Sequence, residues 1–320
     1  MEYYNAERKE KFLEQKKDII VEKNLKIYKR LFKVFGQDEK RYDMDLCDFS
    51  YDILMTVLPL RLSRGWNSKA TQLSLLKEYA GWCYKEKLNK HNTFDILRIK
   101  SSDIDSSLRT RKQLIKDPQH LQSILDEVLK SERDEPSVDI MYRIVCWLLY
   151  YGFTEEEIMS MKQSNVDFEN NIIYNDDRTK SVVLDKNLRN LLECSISLDS
   201  VYRPAKSGAI RLDLDKSDKI IRRIAMKNNN ESSDIIKIRL SLMRRNYEKN
   251  VYENVSLSTK RLRLSGIFYR LYEKEISGDK LTDDDFYFNI REGLTKQSVK
   301  IKIKRNKQEY NDWKRAFNLI

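Results

Sequence analysis

Lys260, Arg261 and Arg263 fall within four positions at the start of a helix predicted over Thr259 to Glu275. Free amides and the helix dipole add to their charge there, so the cluster is suited to holding an anion. Arg244 and Arg245 precede this helix. Further on, Lys302, Lys304 and Arg305 stand in a segment where Val299, Ile301 and Ile303 alternate with lysines. That alternation predicts a half-exposed strand with a basic face. Such a face suits a polyanion, or it guards a sheet edge against aggregation.

The charge is focused. Of 320 residues, 61 are Lys or Arg and 50 are Asp or Glu, a net of +11. Residues 235–274 hold ten basic and three acidic side chains, and residues 291–310 hold seven and two. These two windows exceed the whole-chain excess, so the remainder is close to balanced. A focused positive field points to a nucleic-acid partner, because each neutralised phosphate releases condensed counterions.

Other chemistries lack their residues. The only histidines are His91 and His120, and Cys47, Cys83, Cys146 and Cys194 are scattered. A zinc site has almost no ligands to draw on, no cofactor is implied, and the cysteines read as reduced core thiols. No apolar run approaches the roughly 18 residues of a membrane span, and Met1 to Tyr4 shows no apolar signal core. The expectation is a cytoplasmic protein without a membrane partner. Glycine (8) and proline (4) are scarce, which disfavours doubly wound, sandwich and glycine-rich phosphate-loop folds and favours helix.

The elements follow from periodicity. Residues 2–35 predict one long charged helix stopped by Gly36. A second spans 46–62, ending near Leu58-Pro59. The basic loop from Arg61 to Asn67 comes next, and Asn67 or Ser68 caps a helix with Leu73, Leu76, Tyr79, Ala80 and Cys83 on one face. Residues 101–117, with Arg109 and Arg111, lack apolar periodicity and predict a linker. Asp117-Pro118 opens a helix, 138–151 forms a strongly apolar one, and Gly152 ends it. Thr154 and Glu157 have capping-box spacing. Asn171 to Tyr174 and Thr179 to Leu184 flank an Asn/Asp turn and predict a hairpin. Helices resume at Lys186 and continue through Asp215 to Met226. A short amphipathic helix from Tyr310 to Phe317 closes the chain.

The run from Lys69 to Cys83 resembles the core-binding domain of tyrosine recombinases, the phage integrase family. Leu148 to Ile158, followed by Met161 to Asp167 and the hairpin, is similar in order to the start of their catalytic domain. The resemblance covers most of residues 65–270. It implies a mainly α fold with a small β-hairpin or sheet in two domains, a helical core-binding-like domain over 1–108 and a catalytic-like domain over 109–320. It also implies a C-shaped clamp on double-stranded DNA. Arg64, Lys69 and Lys77 would lie on the DNA-facing edge of the first domain, and Arg178 and Lys180 at a hairpin tip near a phosphate.

The family's chemistry is only partly represented. Thr154 stands where the resemblance places the first catalytic arginine, and Lys260 where it places a histidine; Arg263 retains the second arginine. No histidine follows His120. Loss of one oxyanion donor commonly costs about 10²–10³-fold in rate. The resemblance therefore implies a sequence-specific double-stranded-DNA-binding protein that is not an enzyme; the further likeness to integrase-like phage repressors implies a transcriptional repressor, with a second copy or a phage regulatory protein as its expected partner. The alternatives are a divergent recombinase attacking through Tyr310, with Tyr287 behind it, and a helical RNA-binding or scaffold protein.

Overall fold

A computed structural model describes residues 3–63, 66–89, 96, 98–105, 107–129, 139–205, 208–222, 257–290 and 292–320. The described residues are mainly α-helical, with two small antiparallel sheets among them. It divides into two compact units, one of residues 1–110 with 314–320 and one of residues 111–313.

The first unit is helical. α1 (Ala6–Lys17) and α2 (Glu22–Tyr42) replace the single helix predicted over 2–35. The break falls at Ile19, Ile20 and Val21, a β-branched run with little helix preference. Reversal lets Phe12 meet Tyr28 and Phe32 edge-on at centroid distances of 5.1 and 6.1 Å. Gly36 does not stop α2; the helix runs on to Asp43, which caps it in the left-handed conformation at φ 49°. The predicted helix over 46–62 is a 3-10 turn at Leu46–Asp48 followed by α3 (Tyr51–Arg61). Ser50 restarts the chain as N-cap, and Pro59 sits inside the last turn of α3. α4 (Trp66–Lys85) already includes Asn67 and Ser68, the residues expected to cap it. Leu73, Leu76, Tyr79, Ala80 and Cys83 are all buried, as the spacing predicts.

A charged group lies at the heart of this unit. The fully buried Lys9 donates to Glu39 Oε1 at 2.5 Å, Tyr4 O at 2.6 Å and Asp45 Oδ2 at 3.3 Å. Leu46 N–H also donates to Glu39 Oε1, and the Tyr79 hydroxyl to Asp45. Burial pushes the Glu39 carboxyl up to about 7 despite Lys9. Burial also acts on Asp45, but Lys9, the Cys47 N–H and Arg8 outweigh it and hold that carboxyl low.

Residues 101–117 are not a bare linker. They contain α5 (Ser107–Arg111), and Ile104, Leu114 and Ile115 are buried. In the second unit, α6 (Pro118–Val128) begins as predicted, with Asp117 accepting from His120 N–H. α7 (Asp139–Tyr150) is the central helix; Ile144, Trp147, Leu148 and Leu149 are buried. Gly152, at φ 100°, ends it in a Schellman motif: Gly152 N–H reaches Leu149 O and Phe153 N–H reaches Leu148 O. α8 (Glu155–Ser160) follows, then β1 (Val166–Asp167), β2 (Ile172–Tyr174) and β3 (Ser181–Val183) in sheet order β1-β2-β3. The predicted hairpin is present, with Ile173 opposite both Val166 and Val182.

α9 (Lys186–Ser197) packs on α7 through Leu188 and Leu192. Helix does not continue from there. β4 (Ser200–Ala205) pairs with β5 (Gly208–Asp213), and the described part of the predicted Asp215–Met226 helix, 215–222, is not helical. Ala205 opposite Gly208 is the innermost pair of this ladder. α10 (Thr259–Ile276) crosses α7 at Gly266, where a Cβ would stand 1.6 Å from Tyr150 O. The predicted terminal strand is a helix, α11 (Lys296–Ala316). Six alternating residues, Val299 to Lys304, suggest period two, but Tyr310, Trp313 and Ala316 are buried at helical spacing. Cys47, Cys83 and Cys146 are buried, whereas Cys194 is exposed, contrary to its reading as a core thiol. No helix among the described residues is long and apolar enough to cross a membrane.

Candidate nucleic-acid interface

The first turn of α10 carries the strongest candidates. Lys260 and Arg263, three apart, share one helix face. Together with Ser258, Thr259, Glu155 and Asn289 they line an open hollow of about 330 Å³. Lys260 is exposed. Arg263 is half-buried, and its Nε is enclosed without a hydrogen-bond partner among the described residues. A buried donor left unmade is costly, so this guanidinium is held ready for an acceptor. Arg261 lines no part of the hollow. Its carbonyl accepts from the buried Ser265 hydroxyl, which in turn accepts from Ile115 N–H, tying α10 to the start of the unit.

Glu155 brings α8 to the hollow, and the start of that helix is held by a capping box. Glu157 N–H donates to Thr154 Oγ1 at 3.1 Å, and Thr154 N–H donates to Glu157 Oε2 at 2.6 Å. Thr154 is thus a helix cap. Lys180 reaches across from the hairpin to Glu157 Oε2 and Oε1 at 3.0 and 3.2 Å, and to Gly152 O at 3.1 Å. Its ammonium also lies 5.2 Å from the Phe153 ring centroid. Asn175 adds a further donor to Glu157. Partial burial pushes the Glu157 carboxyl up, but the Thr154 N–H and Lys180 outweigh it and hold it below the usual range. Lys180 therefore spends its charge inside the protein. Arg178 does not: it is exposed at the hairpin tip, at φ 57°, with its guanidinium 5.3 Å from the Tyr174 ring.

Other candidates are placed unevenly. Lys69 is buried and its ammonium donates to Ile104 O at 2.9 Å, which removes it from the surface; it stands one helical turn before the buried Gln72 and Leu73. Lys77 is half-buried. Arg64, Arg244 and Arg245 lie outside the described residues. On α11, Lys304 is exposed, Lys302 is half-buried, and Arg305 pairs with Glu309 at 3.0 Å. The helix thus separates Lys302 from Lys304, which a strand would put on one face.

The candidate nucleophile is in the interior. Tyr310 is buried, and its hydroxyl donates to Glu275 Oε2 at 2.6 Å. Burial and that carboxylate raise its phenol well above the ordinary value. Trp313 stacks on Tyr310 and donates from Nε1 to Ile115 O. Tyr287 is exposed and two residues from Asn289 of the hollow. Sequence reasoning missed Glu155, Ser258, Thr259 and Asn289 as wall residues. Ser258 was recoverable as the residue before the helix; Asn289, at φ 55°, gave no signal. Among the described residues no group of His, Cys, Asp and Glu side chains could hold a metal.

Residues 3–85 match the family described as MrpR, N-terminal core-binding domain. No curated protein matches. Among solved structures, the chain is similar to the Tn1549 transposon integrase in complex with a circular intermediate DNA, at 14% identity and a TM-score of 0.35. That likeness covers 93% of this chain and 99% of the integrase chain. It is also similar to the lambda integrase (residues 75–356) bound to DNA, at 13% identity, TM-score 0.31, covering 85% and 87%. A lambda integrase dimer bound to a COC′ core site gives 14% identity, TM-score 0.33, covering 92% and 79%.

Proposed function

We propose that this chain is a sequence-specific double-stranded-DNA-binding protein that does not cleave DNA. In the fullest form of this reading it is a phage or prophage transcriptional repressor that maintains lysogeny on a tyrosine-recombinase-like scaffold. The integrase-like master repressor of the lytic cycle of SPβ-type Bacillus prophages is the protein it resembles. It would act in the bacterial cytoplasm, on the nucleoid, alone or with a second copy or a phage regulatory protein.

One observation carries the reading: Lys260 and Arg263 line one hollow, and Arg263 Nε has no partner among the described residues. A phosphate oxygen supplies the missing acceptor. Phosphate contacts of this kind set affinity and register, while groove-facing side chains read sequence. The match over residues 3–85 to a core-binding domain supports a role for the first unit on the same duplex.

The absence of cleavage rests on three positions. Thr154 is neutral and committed to its cap. Lys260 stands where the family resemblance places a histidine. Tyr310 is sequestered on Glu275. A two-part experiment tests the reading. Genomic fragments bound by the purified protein are recovered and sequenced, and the recovered site is then offered as a nicked suicide duplex. A short recurrent motif with no covalent adduct is the expected outcome. An adduct that disappears in Tyr310→Phe would establish an active recombinase instead. Fragments without a common motif would remove sequence specificity.

A further inference from the structure

The first half of α11 is charged against its own dipole. Residues 296–307 hold six basic side chains and no acidic one, and the first turn contains no acid. Glu309 and Asp312 come only later in the helix. A helix N-terminus carries partial positive charge, so cations there are unfavourable and acids favourable.

Two of the six cations are committed. Lys307 pairs with Asp283 at 2.6 Å and Arg305 with Glu309 at 3.0 Å. Lys302 is half-buried. Lys296, Lys300 and Lys304 are different: all three are exposed, and none is in an ion pair among the described residues. Their i, i+4, i+8 spacing puts them on one ridge, about 12 Å long at 1.5 Å rise per residue. Like charges four apart destabilise a helix, and this ridge contains two such pairs in succession. The ridge is also fixed in place. Asn306 donates to Phe286 O at 2.8 Å and Phe288 O at 2.9 Å, holding the segment whose next residue, Asn289, lines the Lys260–Arg263 hollow.

We infer that Lys296, Lys300 and Lys304 form a second, non-sequence-reading contact surface for the phosphate backbone of double-stranded DNA. The inference rests on the proposed DNA-binding function and extends it to Lys296 and Lys300, which are not among the DNA contacts expected from the sequence. A polyanion laid along the ridge relieves both the like-charge repulsion and the opposed dipole. A solvated surface face would be expected to interleave acids at i+4, as the second half of the helix does with Arg305 and Glu309.

The test is a titration of full-length protein against two labelled duplexes, one random 25-bp sequence and one recovered site, and against a single-stranded RNA of equal length, across a salt series. The variant is Lys296→Gln/Lys300→Gln/Lys304→Gln, and the exposed Lys280→Gln is the single-charge control. Each lost phosphate contact lowers the salt slope by about 0.9. The expected result is a slope lower by about 2 to 3, with affinity for both duplexes reduced by the same factor and helix content retained by circular dichroism. A wild-type protein that binds steeply, with the triple variant matching it, would overturn the ridge and leave the DNA-binding reading intact. A wild-type protein that binds neither duplex would overturn both. Stronger binding to a single-stranded RNA of equal length would overturn the choice of duplex DNA.

Discussion

Lys180 Nζ lies 3.0 and 3.2 Å from the two carboxylate oxygens of Glu157, so the cation of the hairpin is paired within the protein. The same carboxylate closes the capping box with Thr154. Hairpin and helix α8 are thereby fastened to each other, and Arg178, two residues along, is left as the exposed cation of the tip.

Replacement of Glu157 by Gln keeps an acceptor for Thr154 N–H but leaves Lys180 without its anion. The expected loss is about 1 kcal/mol, at the upper end for a partly exposed pair. The pH sense follows from the lowered carboxyl. Its stabilisation is present above the ordinary value of 4.5 and is lost as pH falls below it. Urea unfolding of wild type and Glu157→Gln between pH 3 and 7 checks this; the two curves should converge at the acid end.

Arg178 and Lys180 should separate in DNA binding. Arg178→Ala is expected to weaken duplex binding about uniformly across sequences and to lower the salt slope by about 0.9. Lys180→Met should leave the slope unchanged and reduce stability instead. Fluorescence anisotropy over a salt series, paired with thermal unfolding, distinguishes the two roles.

Gly266 allows α10 to press its backbone onto the end of α7. A Cβ would meet Tyr150 O at 1.6 Å, a contact that only displacement of one helix can relieve. Gly266→Ala should cost about 3 kcal/mol, the upper range for overpacking. Because α10 carries Lys260 and Arg263, DNA affinity should fall with it. A variant of wild-type stability in denaturant titration would show that the two helices are not in this contact.

These elements also show what the sequence made legible. Gly152, Thr154, Glu157 and Asp117-Pro118 were readable because each acts within three or four residues of itself. The hairpin 171–184 was readable because two apolar runs flank an Asn/Asp turn. What failed depends on distant partners. Lys69 looked like a surface cation until Ile104 O supplied its acceptor from 35 positions away. Ile301 and its flanking lysines imitate a strand, and only the aromatic packing of Tyr310 and Trp313 reveals the helix. The hollow was half legible: Lys260 and Arg263 are neighbours in sequence, whereas Glu155 and Asn289 arrive from other segments.

The buried group around Lys9 gives the first unit its own pH response. Lys9→Met leaves Glu39 and Asp45 enclosed without their cation and should cost about 3–5 kcal/mol. Glu39 contributes stability that is fully present below about 4.5, its ordinary value, and is lost as pH rises to about 7. Asp45 works in the opposite sense, losing its contribution as pH falls below the ordinary carboxylate range. Glu39→Gln should therefore flatten the decline between about pH 4.5 and 7 without altering the acid limb. Unfolding of the two proteins monitored across pH 3–8 measures both limbs.

The most direct measurement is a gel-shift titration of wild type and Arg263→Ala on the recovered genomic site and on random duplex. A charge-assisted bond to a phosphate is worth about 1.5–3 kcal/mol, which corresponds to roughly tenfold to more than hundredfold in affinity. The account predicts that wild type prefers its site by about 10³ or more over random duplex, and that Arg263→Ala weakens both by that tenfold or greater factor. Equal affinity of wild type and Arg263→Ala on the recovered site would contradict it.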